Sequence, residues 1–168
     1  MKEWKDLELQ GLRWIQKGGW GRNYELQNEN GEIIATLKRP RWWSDYAEVD
    51  APGNRWTFEH KGLMRRVIVI RSMGTGDQPA TYEKGRLKFP DGREFLWRQN
   101  NLWGTKWVWT TEDGQPVLGF QSGGFLRYRG EMSIPPDIED MPSVALLVFL
   151  GWYMVSQYYE DASAIAAT

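Results

Sequence analysis

The chain has no cysteine and one histidine. The first absence excludes a disulfide framework, a thiolate nucleophile and any Cys-ligated zinc site. The second excludes any metal motif built on two histidines. There is no basic excess either: the formal net charge is −1 and the pI about 5.9, so nucleic acid is not an expected partner. The opening residues, Met1-Lys2-Glu3-Trp4-Lys5-Asp6, are charged from the start and lack the apolar stretch of a signal peptide, so the expected location is cytoplasmic. Phosphate-cradling signatures are missing. Gly18-Gly19-Trp20-Gly21 and Gly74-Thr75-Gly76 complete neither a dinucleotide fingerprint nor a P-loop. Ser122, in Phe120-Gln121-Ser122-Gly123, lacks the first glycine of a nucleophile elbow. His60 falls mid-strand beside Lys61, and nothing singles out one pair among 22 acidic residues for acid–base work. The expectation is a protein with no catalytic residues, no cofactor and no metal.

What the chain does have is 11 Trp and 18 Gly in 168 residues, with 41% hydrophobic and 26% charged positions. That is the composition of one globular domain, 1–168, rich in turns and in large flat side chains. Three segments carry strand-like residues on both sides of an Asn-Gly or Asp-Gly turn: Asn23–Lys38 around Asn30-Gly31, Arg86–Arg98 around Asp91-Gly92, and Trp107–Phe120 around Asp113-Gly114. Such dipeptides accept the positive φ of a tight hairpin. Further strands are expected at Trp4–Leu9, Leu12–Gln16, Trp56–His60, Arg66–Arg71, Thr81–Glu83 and Leu126–Arg129, giving 10 to 12 strands over about 4–133.

The character then changes. Ile134-Pro135-Pro136-Asp137 cannot continue a sheet, so 134–142 reads as a linker. Glu139, Asp140 and Pro142 suit the start of a helix over about 143–159, followed by a flexible tail at 160–168. Val144 to Val155 carries no charge and is apolar on every face, so this helix needs surroundings on all sides. Its length of about 26 Å falls short of a bilayer core of roughly 30 Å, and no Lys or Arg flanks it. A C-terminal membrane anchor is therefore the lesser reading and enclosure by the chain's own strands the greater. Barrels of about eight strands are filled by their own side chains. A helix inside needs a wider ring, which matches the strand count. The expected fold is mainly β, a closed antiparallel barrel of about 10–12 strands around a buried C-terminal α-helix, with most indoles filling the gap between.

Charge is segregated along the chain. Residues 131–168 hold six acids and no Lys or Arg, leaving 1–130 with a net of +5. A docked tail would meet a basic body. The most suggestive basic segment is Lys38-Arg39-Pro40-Arg41-Trp42-Trp43, with Lys61, Arg65 and Arg66 as a second group expected on the same face. Cations beside indoles suit an anionic lipid headgroup with interfacial aromatics below it, and equally single-stranded nucleic acid through phosphate contacts and stacking; the plainer alternative is a loop at a barrel end with the indoles packed on the rim and Arg39 and Arg41 solvated.

Strand–Asn/Asp-Gly–strand units followed by a wholly apolar helix resemble the tubby C-terminal, phospholipid scramblase and plant LURP-one-related group, and the size is nearest the LURP-one-related branch. The resemblance implies a closed barrel of about twelve strands around a central hydrophobic helix. Tubby domains in that group bind phosphoinositides through surface basic residues. The Cys-rich and Pro-rich segments of scramblases are lacking here, and no residue-level motif transfers a phosphoinositide site. The functional expectation is a non-enzymatic barrel that binds an anionic phospholipid or membrane surface through Lys38, Arg39, Arg41, Trp42, Trp43, Lys61, Arg65 and Arg66. Alternatives are a scaffold or regulatory domain with a protein partner, and a C-terminally anchored protein. The oligomeric state stays open.

Overall fold

The computed structural model describes residues 11–17, 22–41, 43–62, 64, 66–101, 105–123, 126–135 and 143–166. The expected strand at Trp4–Leu9, the helix-start residues Glu139, Asp140 and Pro142, and the site residues Trp42 and Arg65 lie outside that set.

Twelve strands follow one another: β1 (Arg13–Lys17), β2 (Asn23–Gln27), β3 (Ile33–Lys38), β4 (Ala47–Ala51), β5 (Asn54–Lys61), β6 (Val67–Ser72), β7 (Thr81–Glu83), β8 (Arg86–Lys88), β9 (Glu94–Gln99), β10 (Lys106–Thr110), β11 (Pro116–Gly123) and β12 (Leu126–Ser133). Each pairs antiparallel with its neighbour in sequence, and β12 returns to β1 through Trp14↔Gly130 and its flanking pairs, closing the barrel. Closure leaves no sheet edge. Gly31, Gly92 and Gly114 have φ of 81°, 93° and 84°, the left-handed geometry expected of these hairpins. β4 went unread in the sequence, because Ala-Glu-Val-Asp-Ala alternates in and out but has little β propensity.

α1 (Val144–Ala166) passes through the ring. It runs seven residues past the expected end, so the expected flexible tail is helical from 160 to 166. Nothing between Ser156 and Ala166 breaks a helix, and alanines favour it. Ser143 precedes the first turn. Its carbonyl accepts from Leu147 N at 3.1 Å, and its hydroxyl accepts from Arg93 Nη1 at 2.8 Å. From Val144 to Val155 every side chain except Met154 is buried. Among the described residues no helix is long and apolar enough to cross a membrane.

Aromatic side chains fill the space between helix and wall. Trp14, Trp56, Trp107, Trp109 and Trp152 are buried. Trp56 meets Phe149 at 5.8 Å between ring centres, Phe58 meets Tyr153 at 5.5 Å and Tyr24 meets Trp152 at 6.1 Å. Trp109 Nε1 donates to the Leu147 carbonyl at 2.8 Å, fixing the helix to β10. Two glycines make room for these rings. A Cβ at Gly130 would overlap the Trp14 indole, and one at Gly151 would overlap Phe120 and press on Trp109 Nε1.

The antiparallel meander sorts the connections into two ends. The hairpin end holds the turns at 28–32, 52–53, 73–80, 89–93 and 111–115, and the start of α1. The helix-exit end holds the β3–β4, β5–β6 and β7–β8 connections and the second half of α1.

Candidate functional site: a polar collar and basic rim at the helix-exit end

Strand residues alternate between the two faces of the wall, so each strand presents one inward column. Four adjacent columns end in polar residues at the helix-exit end. Leu26 and Tyr24 lead to Arg22; Leu37 leads to Arg39; Val49 and Ala47 lead to Asp45; Phe58 leads to His60. These side chains form a collar around the helix where it leaves the wall.

Arg39 is the centre of the collar, and its side chain is wholly buried. Its guanidinium donates to the Asp45 carbonyl (3.0 Å), the Tyr153 carbonyl (3.0 Å) and Ser156 Oγ (2.6 Å). Nε lies 3.2 Å from Glu160 Oε2, an ion pair without hydrogen-bond alignment. Arg22 donates to the same carboxylate through Nε (3.3 Å) and Nη2 (3.2 Å), and Tyr24 donates to Glu160 Oε1 at 3.2 Å. The acidic C-terminal segment therefore does dock on body cations, through Glu160. On the other side of Arg39, Tyr153 OH donates to the Asp45 carbonyl at 2.9 Å and lies 3.0 Å from His60 Nδ1. His60 Nδ1 is 3.1 Å from Asp45 Oδ2. Burial pushes the Tyr24 and Tyr153 hydroxyls well above the ordinary tyrosine range, with the Glu160 charge adding to the effect on Tyr24. Across the mouth, Ser122 and Tyr159 share a short hydroxyl contact.

The collar is built of internal contacts, and Arg39 spends its donors on the helix and on the Asp45 carbonyl of the β3–β4 connection. Among the described residues of the expected ligand set, it is the one whose charge faces inward, because it continues the inward register of Ala35 and Leu37. Lys38, Arg41, Trp43, Lys61 and Arg66 are exposed and all belong to the helix-exit end. The Arg41 guanidinium lies 4.4 Å from the centre of the Tyr46 ring, and its backbone carbonyl accepts from Arg22 Nη1 at 2.9 Å. Lys61 pairs with Glu59 at 3.4 Å. Sequence reasoning missed Met64, which is 76% exposed with φ 67°, next to Trp43 in rank at 68%. No local pattern announces a left-handed methionine.

The outer wall carries a groove of about 510 Å³ over β6–β8, floored by Val67 and Val69 and rimmed by Lys84, Arg86 and Lys88. Arg86 is hydrogen-bonded to Glu94 and Glu112, and Lys88 lies 3.1 Å from Glu94. Those carboxylates neutralise Arg86 and Lys88, and Lys84 lies 3.9 Å from Glu83. Arg86, with the Glu112 and Lys88 side chains alongside, holds the Glu94 carboxyl down at about 2. Among the described residues no group of three or more His, Asp or Glu side chains is arranged to hold a metal ion.

No protein-family model, curated protein or solved structure matches the chain.

Proposed function

We propose that this barrel is a non-enzymatic module that docks on an anionic phospholipid surface through its helix-exit end. The observation that carries the reading is that Lys38, Arg41, Lys61 and Arg66, from two loops and two strand ends, are exposed at the same end of the barrel as an exposed Trp43. Cations near an anionic leaflet contribute about 1 kcal/mol each, and indoles favour the interface. The closed twelve-stranded wall around an apolar helix is the architecture expected from the likeness to the tubby and LURP-one-related group, and lends that likeness support.

Sedimentation with vesicles is the test. Binding to phosphatidylcholine vesicles containing phosphatidylserine or a phosphoinositide is expected, with little recovery on phosphatidylcholine alone. The triple variant Arg41→Glu, Lys61→Glu, Arg66→Glu should bind on the order of 100-fold more weakly, and wild-type binding should fall as salt rises. Equal recovery on neutral and anionic vesicles rejects the reading. A triple variant that keeps full cellular activity favours a protein partner instead.

A further inference from the structure

The two ends of the barrel differ in charge. At the hairpin end the described turns carry Glu29, Glu32, Asp77, Asp91, Glu112 and Asp113 against a single cation, Arg93. At the helix-exit end the described connections carry exposed Arg41, Arg66 and Lys84, while Arg22 and the buried Arg39 are paired with Glu160 and the buried Asp45 lies against His60. Among strand termini, Lys17, Lys38, Lys61, Arg86 and Lys106 lie at that same end against Glu83, with Asp161 also exposed there, whereas the hairpin-end termini carry Arg13 and Lys88 against Glu94. The molecule thus carries an axial charge polarity.

Exposed apolar groups follow the same axis. Among the described residues the large exposed hydrophobics are Trp43, Met64, Tyr158 and Ile33, and the first three belong to the helix-exit end. Tyr158 is braced by Trp107, with ring centres 5.4 Å apart. Met64 adopts φ 67°, a region that costs a non-glycine residue about 1–2 kcal/mol. Its side chain recovers nothing by burial.

Resting on the lipid-surface reading, we infer that the barrel stands end-on, with Trp43 and Met64 seated in the interface, the basic strand ends at headgroup level and the acidic hairpin end turned to solvent. An acidic end would be repelled by an anionic leaflet, so charge alone selects which end approaches. The two apolar tips on neighbouring loops then supply insertion that a ring of lysines cannot.

Because the chain contains no cysteine, single-cysteine variants report one position each. Trp43→Cys, Met64→Cys and Asp113→Cys would each carry a polarity-sensitive fluorophore. They would be mixed with phosphatidylcholine vesicles with and without phosphatidylserine, sedimentation being read on the same samples. Blue shifts at 43 and 64, with none at 113, are expected only on the anionic vesicles. The unlabelled double variant Trp43→Ser, Met64→Ser should partition about tenfold less. Sedimentation without any shift at 43 and 64, or with a shift at 113, overturns the orientation while leaving lipid binding intact. Absence of sedimentation overturns both. A concentration-dependent shift at 43 and 64 without vesicles overturns the orientation too, since these residues would then be meeting the acidic end of a second copy.

Discussion

Gly151 occupies a mid-helix position where replacement by alanine ordinarily adds about 1 kcal/mol. Here Phe120 and Trp109 occupy the space a methyl would need. Trp109 also depends on that close approach to reach the Leu147 carbonyl. Gly151→Ala should therefore lower stability by about 1–3 kcal/mol, the usual cost of overfilling a core, and urea unfolding measures the sign directly. A gain in the urea midpoint would refute the tight indole contact. The same scale shows where single residues were legible. Arg39 stands two positions beyond Leu37 and four beyond Ala35, so its inward direction was available from strand parity. The cluster of cations and indoles around it drew the reading outward instead. His60, read as mid-strand, is the last residue but one of β5, and its neighbours Asp45 and Tyr153 come from 15 and 93 residues away, so no spacing rule joins them.

At the scale of elements, the hairpins and the helix were legible because each is written locally: a left-handed glycine between alternating strands, and a run with no polar face. β4 and the last seven helical residues were not, since small and acidic residues carry weak propensities that the neighbouring ladder or preceding turns decide. The helix is the element on which the barrel depends. Leu147 is fully buried on the axis, and Leu147→Asp places an unpaired charge there. That costs several kcal/mol against a total stability of about 5–15, so the variant should fail to give a cooperative melt by circular dichroism. A soluble Leu147→Asp protein melting cooperatively would contradict the enclosed helix.

For the whole molecule, ionisation of the tyrosines wedged between wall and helix is linked to unfolding. Burial pushes Tyr82 up to about 12, from an ordinary value of 10, and raises Tyr24 and Tyr153 as well. A raised folded value means the neutral form is favoured by folding. The contribution is complete below pH 10 and is lost as pH climbs towards 12. Tyrosinate absorbance and circular dichroism should thus change together in that window, and Tyr82→Phe should delay the loss. Absorbance rising with the circular dichroism unchanged would mean these hydroxyls reach solvent in the folded state. The axial charge polarity belongs to this scale as well. It was invisible in the sequence, where its residues alternate turn by turn, and emerges only when a meander sends every second connection to the same end.

The order of the chain also constrains its birth. Every strand precedes α1, so the ribosome makes the entire wall before the segment that fills it. Until that last stretch leaves the exit tunnel, the inward faces of Trp14, Phe58 and Trp109 have only one another and water. The nascent ring must wait, collapsed or shielded by chaperones, for a centre that arrives last.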